Sequence, residues 1–200
     1  GRNTGGTVKL HRVVVVGASL AGLHAAEELR RCGFDGAITL VGAEPQPPYD
    51  RPPLSKQLLR GEWSAERIPL RDRPELDALA VEWELGRRAV SLEPLAREVR
   101  LADGRALPYD GCVLATGATA RRLPGLPELE GVHRLRTLDD ALTLRAALER
   151  RPRVVIIGAG FIGSEVAASC RSLGLEVCLV EPLPVPLARV FGEPMGRASA

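Results

Sequence analysis

One arrangement occurs twice in this chain and constrains its fold more than any other feature. A short apolar run is followed by a glycine-containing turn, a stretch with helical periodicity, a second apolar run and an acid. The turn lies at residues 17–22 in the first copy and 158–163 in the second, and the acids are Glu44 and Glu181. Continuous apolar runs are typical of parallel strands that are buried on both faces. The repeat therefore predicts two βαβ units in an α/β protein.

The two glycine turns indicate phosphate binding. At the start of a helix the backbone N–H groups lack helical partners, the helix dipole is positive, and glycines let a phosphate approach closely. An acid after the second strand accepts hydrogen bonds from a ribose. The second turn has glycine at all three expected positions, whereas the first has Ser19 in the middle. One such turn also occurs as a plain strand-to-helix connection, but its recurrence with strand, helix and acid favours two dinucleotide sites.

Composition excludes several other classes of protein. The chain has 200 residues, 45% of them hydrophobic, which is enough to bury a core. Its net charge is +2, and its arginines are scattered among acids, which argues against a nucleic-acid surface. There is no apolar run of about 18 residues, and residues 1–9 lack the apolar segment of a signal peptide. We therefore expect no membrane span and a cytoplasmic location.

The cysteines and histidines do not form a metal-binding pattern. The histidines are isolated, and the cysteines lack the CxxC spacing of a metal knuckle or a redox-active disulfide. We predict no metal site and expect the cysteines to be buried thiols. The cysteines are Cys32, Cys112, Cys170 and Cys178.

Short elements are predicted between the two βαβ units. Prolines within 45–53 favour an extended connection, which is followed by a short helix over 54–59. Asp103 and Gly104 are typical of a hairpin turn between two strands. The sequence predicts strands over 81–85, 89–92, 98–101, 106–109 and 112–115, the last of them buried.

The second half of the chain begins with a change in pattern. Prolines and glycines within 121–136 predict a domain boundary, and Thr137 is expected to cap a helix over 138–150. Prolines within 182–186 interrupt any regular element after the second βαβ unit. For the tail, 190–200, the sequence predicts no strand that completes a second domain.

Four segments together resemble a known family. They are residues 13–22, the sequence RPPLSK at 51–56, the strand end at 113–117, and residues 158–165. In this combination the chain, over about 11–190, resembles the FAD-dependent ferredoxin and rubredoxin reductases, which are flavoproteins with two dinucleotide-binding folds. The RPPLSK segment distinguishes this branch from the disulfide reductases, which carry a cysteine pair there.

The resemblance implies a division of the chain into two domains. Residues 1–120 would form a Rossmann-like FAD-binding domain with a small antiparallel β insertion. Residues 121–200 would hold the first βαβ unit of a second Rossmann-like domain that binds NAD(H). The family is longer, with a returning segment that carries a Gly-Asp motif and a C-terminal interface domain, so the resemblance implies that both domains are incomplete here.

The resemblance also implies which residues contact the cofactors. For three of these positions another interpretation stays open: a solvated loop acid at Glu44, a strand core residue at Val90 and a surface arginine at Arg136. The implied FAD contacts are Gly17, Ser19, Ala21, Gly22, Glu44, Arg51, Lys56, Val90, Ala115, Thr116, Gly117 and Arg136. The implied NAD(H) contacts are Gly158, Gly160, Ile162, Gly163 and Glu181.

Two further residues are the implied catalytic pair. In the resembling family a lysine near the flavin pairs with a glutamate two residues beyond the last glycine of the NAD turn, and Lys56 and Glu165 fill these positions. An ammonium near the flavin favours the negative charge that arrives with a hydride. The alternatives are a solvated lysine and an acid in the first turn of a helix. Glu181, as a carboxylate that repels a 2′-phosphate, predicts NADH rather than NADPH.

The implied activity is electron transfer from NADH through FAD to a [2Fe-2S] ferredoxin or rubredoxin, which serves a P450 or a ring-hydroxylating dioxygenase. Two alternatives stay open. One is an NADH oxidase or another FAD enzyme with a single acceptor, which a cysteine between Cys32 and Cys112 would have favoured. The other is a truncated chain that binds nucleotide without catalysis.

Overall fold

The computed structural model describes residues 10–125, 127 and 129–198. By their contacts they divide into two compact units. The first holds the described residues up to Asp50 together with Pro69–Ala118, and the second holds Arg51–Ile68 with the described residues from Thr119 onwards. The predicted domain boundary at residue 120 stays a prediction. The predictions for residues 1–9 and for the last two residues lie outside the described part of the chain.

The first unit combines a parallel sheet with a small antiparallel one. Its elements are β1 (Arg12–Val16), α1 (Leu20–Arg31), β2 (Ala37–Gly42), α2 (Arg73–Ala78), β3 (Glu82–Leu85), β4 (Ala89–Glu93), β5 (Glu98–Leu101), β6 (Ala106–Pro108) and β7 (Gly111–Leu114). The parallel sheet has the order β3-β2-β1-β7, and the antiparallel sheet has the order β4-β5-β6. The predicted α/β class with an antiparallel insertion is confirmed.

Strand β1 is buried on both faces, which explains its uninterrupted apolar sequence. Val13 and Val15 point to one face and pack with Ala26 of α1. The alternate residues of β1 point to the other face, where they pack with Val99 and Leu101 of β5. The two cores together place the end of β1, and thus the first glycine turn, in a rigid setting.

The second unit is built around two strands and the helices that pack on them. Its elements are a 3-10 helix (Pro52–Ser55), a second 3-10 helix (Ala65–Arg67), α3 (Leu138–Glu149), β8 (Val154–Ile157), α4 (Phe161–Ser172), β9 (Val177–Val180) and α5 (Ala188–Ala198). β8 and β9 are parallel, as expected for a βαβ unit. Leu59, which follows the first 3-10 helix, packs into the same core as Leu148 of α3 and Val166 of α4. This core anchors the 51–68 segment in the second unit.

Most predicted elements are confirmed, including both βαβ units, the hairpin at Gly104 and helix α3. The α3 cap is a reciprocal capping box: the Thr137 side chain accepts a hydrogen bond from the Asp140 backbone N–H, and the Asp140 side chain accepts one from the Thr137 backbone N–H. Instead of the predicted helix over 54–59, the structure has the 3-10 helix Pro52–Ser55 followed by turns, because two prolines begin it. The predicted strand 81–85 joins the parallel sheet as β3.

Other expectations need correction. Helices α2 and α5 were not predicted, although Asp72 and Glu75 form a capping box at the start of α2. α5 is interrupted at Gly192, whose φ of 75° is not helical. Strand β7, which was expected to be buried, is only partly buried, with Leu114 exposed. Among the described strands it has a neighbour on one side only.

The expectation of buried cysteines is right for Cys170 and wrong for Cys32 and Cys178, which are exposed, while Cys112 is intermediate. Cys32 comes directly after the last residue of α1, and Cys178 lies on a largely exposed strand. Within the described residues there is no cluster of side chains suited to a metal ion. None of the helices described is long and apolar enough to cross a bilayer.

Candidate functional site

The first glycine turn requires its glycines for steric reasons. Gly17 has a φ of 120°, and a Cβ there would lie 2.0 Å from the carbonyl oxygen of Ala115. A Cβ on Gly22 would lie 1.7 Å from the carbonyl oxygen of Gly17. The first position thus makes the tight turn and the last lets helix α1 approach strand β1, which are two of the roles of a dinucleotide-binding fingerprint.

Ser19 occupies the middle position and is the N-cap residue of α1. Its carbonyl accepts the first helical hydrogen bond, from Leu23 N–H at 2.8 Å, but its hydroxyl makes no capping hydrogen bond. Ala21 lies in the first turn of α1, where N–H groups point out of the helix. The Ser19 hydroxyl is therefore available for a phosphate oxygen in front of the positive end of the helix.

The second glycine turn has the same backbone plan with more space. Gly158 has a φ of 105°, and a Cβ on Gly163 would lie 1.9 Å from the carbonyl oxygen of Gly158. A Cβ on Gly158 or on Gly160 would meet nothing within 4 Å. Helix α4 begins directly after Gly160, with Ile162 exposed in its first turn. The turn is an open cradle that fits a pyrophosphate group.

Each acid predicted to bind a ribose already accepts a hydrogen bond within its own unit. The hydroxyl of Tyr49 donates to Glu44. Glu181 accepts the backbone N–H of Ala159 in the glycine turn at 2.7 Å and that of Leu183 at 3.1 Å. A carboxylate has about four acceptor positions, so these hydrogen bonds do not by themselves fill either acid. The sequence did not indicate that Glu181 also fixes the turn.

Lys56 and Glu165 form an ion pair, with Nζ 3.0 Å from Oε2. Their side chains are 32% and 37% exposed. The hydroxyl of Ser55 donates to the same carboxylate oxygen. Burial raises the pKa of Glu165, but the hydrogen bonds from Ser55 and Lys56 and the charge of Lys56 outweigh it, so this pKa lies below its ordinary value. Glu165 is thus a carboxylate at neutral pH.

A second hydrogen bond joins the same two segments, and it is made by Ser169. The hydroxyl of Ser169 on α4 donates to the carbonyl oxygen of Ser55 at 2.6 Å. Ser172 donates to the carbonyl oxygen of Ser169 at 2.8 Å. Sequence reasoning missed Ser55 and Ser169, because their roles depend on contacts between residues more than 100 positions apart.

Two arginines implied as cofactor contacts lie together. Arg51 donates through its guanidinium to the carbonyl oxygen of Arg136 at 2.7 Å. The backbone N–H of Arg136 donates to Asp140 at 2.9 Å, which ties it to the capped start of α3. The arrangement fixes the backbone of Arg136.

The remaining implied contacts lie in the first unit. Ala115 and the Thr116-Gly117 turn come directly after β7, against Gly17. Val90 is 58% exposed, so the interpretation as a strand core residue is wrong. The structure thus groups Gly17, Ser19, Gly22 and 115–117 in one place, and Lys56 with Glu165 in another. Contact between these residues and a cofactor stays a prediction.

Two strand–glycine turn–helix units, each with an acid after its second strand, define an α/β protein of the dinucleotide-binding class. Residues 11–200 match the pyridine nucleotide-disulphide oxidoreductase family, and the chain belongs to that family.

Named relatives confirm the resemblance to ferredoxin and rubredoxin reductases. The chain is 43% identical over 185 residues to a rhodocoxin reductase from Rhodococcus erythropolis, covering 92% of this chain and 43% of that protein. It is 44% identical over 186 residues to a ferredoxin–NAD(P)(+) reductase from a Sphingomonas species, covering 92% and 45%. The chain thus spans less than half the length of these relatives.

Solved structures give the same result. A covalent putidaredoxin reductase–putidaredoxin complex matches with a TM-score of 0.86 and 36% identity, over 94% of this chain and 46% of that one. A ferredoxin reductase from Rhodopseudomonas palustris matches with a TM-score of 0.87 and 39% identity, over the same shares.

Proposed function

We propose that this chain is the nucleotide-binding part of an NADH-dependent flavoprotein reductase that passes electrons through FAD to a [2Fe-2S] ferredoxin or a rubredoxin. The observation that carries the proposal is the ion pair of Lys56 with Glu165 in a chain that also has two dinucleotide-type turns. Relatives named as reductase components of p-cumate and anthranilate dioxygenase systems support a ring-hydroxylating dioxygenase as the terminal oxygenase. The solved ferredoxin reductase of a CYP199A2 system supports a P450 in the same role. We propose the cytoplasm as its location.

The first turn is proposed to hold the pyrophosphate of FAD. The backbone at Gly17, Ser19, Ala21 and Gly22 would face the phosphates, and the Ser19 hydroxyl would add a hydrogen bond. Glu44 would accept from the adenosine ribose while it is oriented by Tyr49. The further contacts proposed for FAD are Arg51, Lys56, Val90, Ala115, Thr116, Gly117 and Arg136.

The second turn is proposed to bind NADH. The space above Gly158 and Gly160 lets a pyrophosphate reach the backbone, with Ile162 and Gly163 in the first turn of the helix behind it. Glu181, which is held by the N–H groups of Ala159 and Leu183, would accept from the ribose 2′-hydroxyl. A carboxylate there repels a 2′-phosphate, which favours NADH over NADPH.

Lys56 and Glu165 are the proposed catalytic pair. FAD, when bound, would supply the chemistry, by accepting a hydride from NADH and releasing electrons one at a time. Lys56 would place its ammonium beside the group that gains negative charge, and Glu165 would hold that ammonium at 3.0 Å. Because the pKa of Glu165 lies below its ordinary value, Glu165 is ionised at neutral pH and presents a negative charge to the lysine.

The proposal is tested with purified protein. We expect a yellow sample whose flavin absorbance bleaches when NADH is added and returns when ferredoxin and a cytochrome reporter are supplied. Lys56→Gln should slow the bleaching on the order of 100-fold, because it removes a preorganised charge. Arg60→Gln is the matched control, because Arg60 pairs with Glu62 in the same segment. A colourless sample that binds nucleotide only weakly would contradict the proposal.

A further inference from the structure

Among the described residues, the buried polar side chains are Ser55, which is 5% exposed, and Ser169, which is fully buried. Both belong to the second unit, and both are hydrogen-bonded. A buried hydroxyl without a partner is costly, so burial and pairing together mark positions where the fold depends on a polar contact. Both contacts join helix α4 to Ser55, the residue directly before Lys56.

We propose that Ser55 and Ser169 are positioning residues that fix where the Lys56 ammonium lies relative to Glu165. The proposal rests on the function proposed above and adds two residues to its catalytic pair. Ser169 holds the peptide group between Ser55 and Lys56 by its carbonyl oxygen, and Ser55 holds the Glu165 carboxylate that receives the ammonium.

The helical spacing makes this a two-point attachment. Glu165 and Ser169 are four residues apart on α4, so they lie on one face of the helix, one turn from each other. Ser169 reaches the main chain of the 55–56 segment at 2.6 Å, and Glu165 reaches both of its side chains. Two separate attachments to one rigid helix fix the orientation of the segment, which one attachment would leave free to rotate.

The ion pair by itself does not supply this order. A lysine has a flexible stem that loses rotamer entropy when it is held in one geometry, and a partly exposed ion pair contributes little to stability. Lys56 and Glu165 are both about one-third exposed. The hydrogen bond from Ser169 to the Ser55 carbonyl oxygen, in contrast, is buried, and the Ser55 hydroxyl that donates to Glu165 belongs to a residue only 5% exposed. Hydrogen bonds in such surroundings are electrostatically stronger than in water. The buried hydroxyls are therefore the part of the cluster that defines its geometry.

Ser55 has a second acceptor within reach, and the distances decide between the two. The carbonyl oxygen of Pro52 lies 3.4 Å from the Ser55 hydroxyl, whereas Glu165 is much closer. A hydroxyl has only one proton to donate. The carboxylate, as the closer and charged acceptor, takes it. The hydrogen bond also helps to lower the pKa of Glu165.

The first test measures the Glu165 carboxyl group directly, without a cofactor. In the chain labelled with ¹³C at the glutamate carboxyl groups, an NMR titration gives the pKa of Glu165. Ser55→Ala should raise this pKa, because it removes a hydrogen bond to the ionised form. Ser55→Thr, which keeps the hydroxyl, should restore it. Ser172→Ala is the matched control, since Ser172 is on the same helix and bonds only to a helix carbonyl.

The second test measures the rate of flavin reduction by NADH in the FAD-loaded protein. Ser55→Ala and Ser169→Ala should each slow it by roughly three- to tenfold, the effect of one hydrogen bond, with the dissociation constant for NADH unchanged. Ser172→Ala should keep the wild-type rate. If Ser169→Ala does not fold, Ser169→Cys, which keeps the volume and weakens the donor, takes its place.

The outcomes separate this proposal from the proposed function. If Lys56→Gln slows reduction but Ser55→Ala changes neither the rate nor the pKa of Glu165, the positioning proposal is overturned and the proposed function stands. If Lys56→Gln has no effect on the rate while Ser55→Ala still raises the pKa of Glu165, the role of the ion pair in catalysis fails and the hold of Ser55 on Glu165 is supported.

Discussion

The two glycine turns share a backbone plan and differ in their surroundings. The first follows β1, which is an inner strand of a four-stranded sheet and is itself buried on both faces. The carbonyl oxygen of Ala115 fills the space that a Cβ on Gly17 would need. The second follows β8, which pairs with β9 among the described residues and has Val155 and Ile157 64% and 56% exposed. There is open space around Gly158. The same motif thus occurs once enclosed and once open.

The comparison separates the glycines that the fold requires from the position where the fold tolerates a side chain. The last glycine is required in both turns, since a Cβ on Gly22 or Gly163 would lie less than 2 Å from a backbone oxygen. The middle position is different, because it is serine in the first turn and a glycine with free space in the second. Packing therefore fixes the last glycine in both turns, whereas it places no constraint on the middle position of the second turn.

The largest expected effect comes from adding one methyl group to the first glycine of each turn. Gly17→Ala should destabilise the first unit by roughly 3–5 kcal/mol, because strain at a positive φ adds to a collision with the Ala115 carbonyl. Gly158→Ala carries only the strain and should destabilise the second unit by about 1–2 kcal/mol.

The two tryptophans allow this comparison to be measured. Trp83 lies in the first unit and Trp63 in the second, so urea unfolding followed by fluorescence in Trp63→Phe and Trp83→Phe backgrounds reports on each unit separately. Equal losses of unfolding free energy in the two units would show that the enclosure of Gly17 has no energetic consequence.

The next prediction exchanges the middle residues of the two turns. Gly160→Ser should leave the unfolding free energy of the second unit nearly unchanged, because a Cβ there has room. It should weaken NADH binding about tenfold, because the added side chain occupies the space proposed for the pyrophosphate and overpacking costs about 1–3 kcal/mol. Isothermal titration with NADH checks this. Ser19→Gly is the reciprocal variant, and it should loosen FAD by removing the hydroxyl.

A smaller effect is expected from the acid of the second unit. Glu181→Gln keeps an acceptor for the Ala159 N–H but loses the charge, so NADH affinity should fall by roughly threefold. NADPH affinity should rise, since the repulsion of its 2′-phosphate is removed. The ratio of the two dissociation constants is the measurement, with Glu176→Gln, at an acid just before β9, as the control. A ratio that does not change would mean that Glu181 serves only to fix the glycine turn.

The sequence was sufficient for features whose cause is local. The glycine spacing, the acids at 44 and 181, and the cap at Thr137 each depend on neighbours along the chain, and each is where the pattern predicted. The capping box of Asp72 and Glu75 is also a local signal, from which α2 could have been predicted, although it was not. The hydroxyl contacts of Ser55 and Ser169 could not be predicted, because no local pattern distinguishes a serine that meets a distant helix from one in solvent.

Exposure was the other property that the sequence did not reveal. β1 and β8 have equally apolar sequences, yet β1 is enclosed and β8 is half exposed. The reason is that burial depends on what covers a strand, and a strand's own residues do not specify this. The same holds for Cys170 and Cys178, of which only the first is covered.

The smallest expected effect is on the pH dependence of the unfolding free energy of the second unit. The folded-state pKa of Glu165 lies below its ordinary value, since the hydrogen bonds from Ser55 and Lys56 outweigh the effect of burial. A lowered folded-state pKa means that the stabilisation is complete above the ordinary glutamate pKa of about 4.3 and is lost as pH falls through the lower folded-state value. Because Glu165 is 37% exposed, the contribution is at most that of a surface pair.

Acid unfolding followed by Trp63 in the Trp83→Phe background measures this contribution. Glu165→Gln should flatten the pH dependence of the unfolding free energy of the second unit below about pH 5. Glu62→Gln is the comparison, because the hydrogen bond from Arg60 lowers the pKa of Glu62 in the same segment and the Glu62 side chain is 52% exposed. If the two variants change the unfolding free energy below pH 5 equally, the hydrogen bond from Ser55 adds nothing measurable to the stabilisation of ionised Glu165.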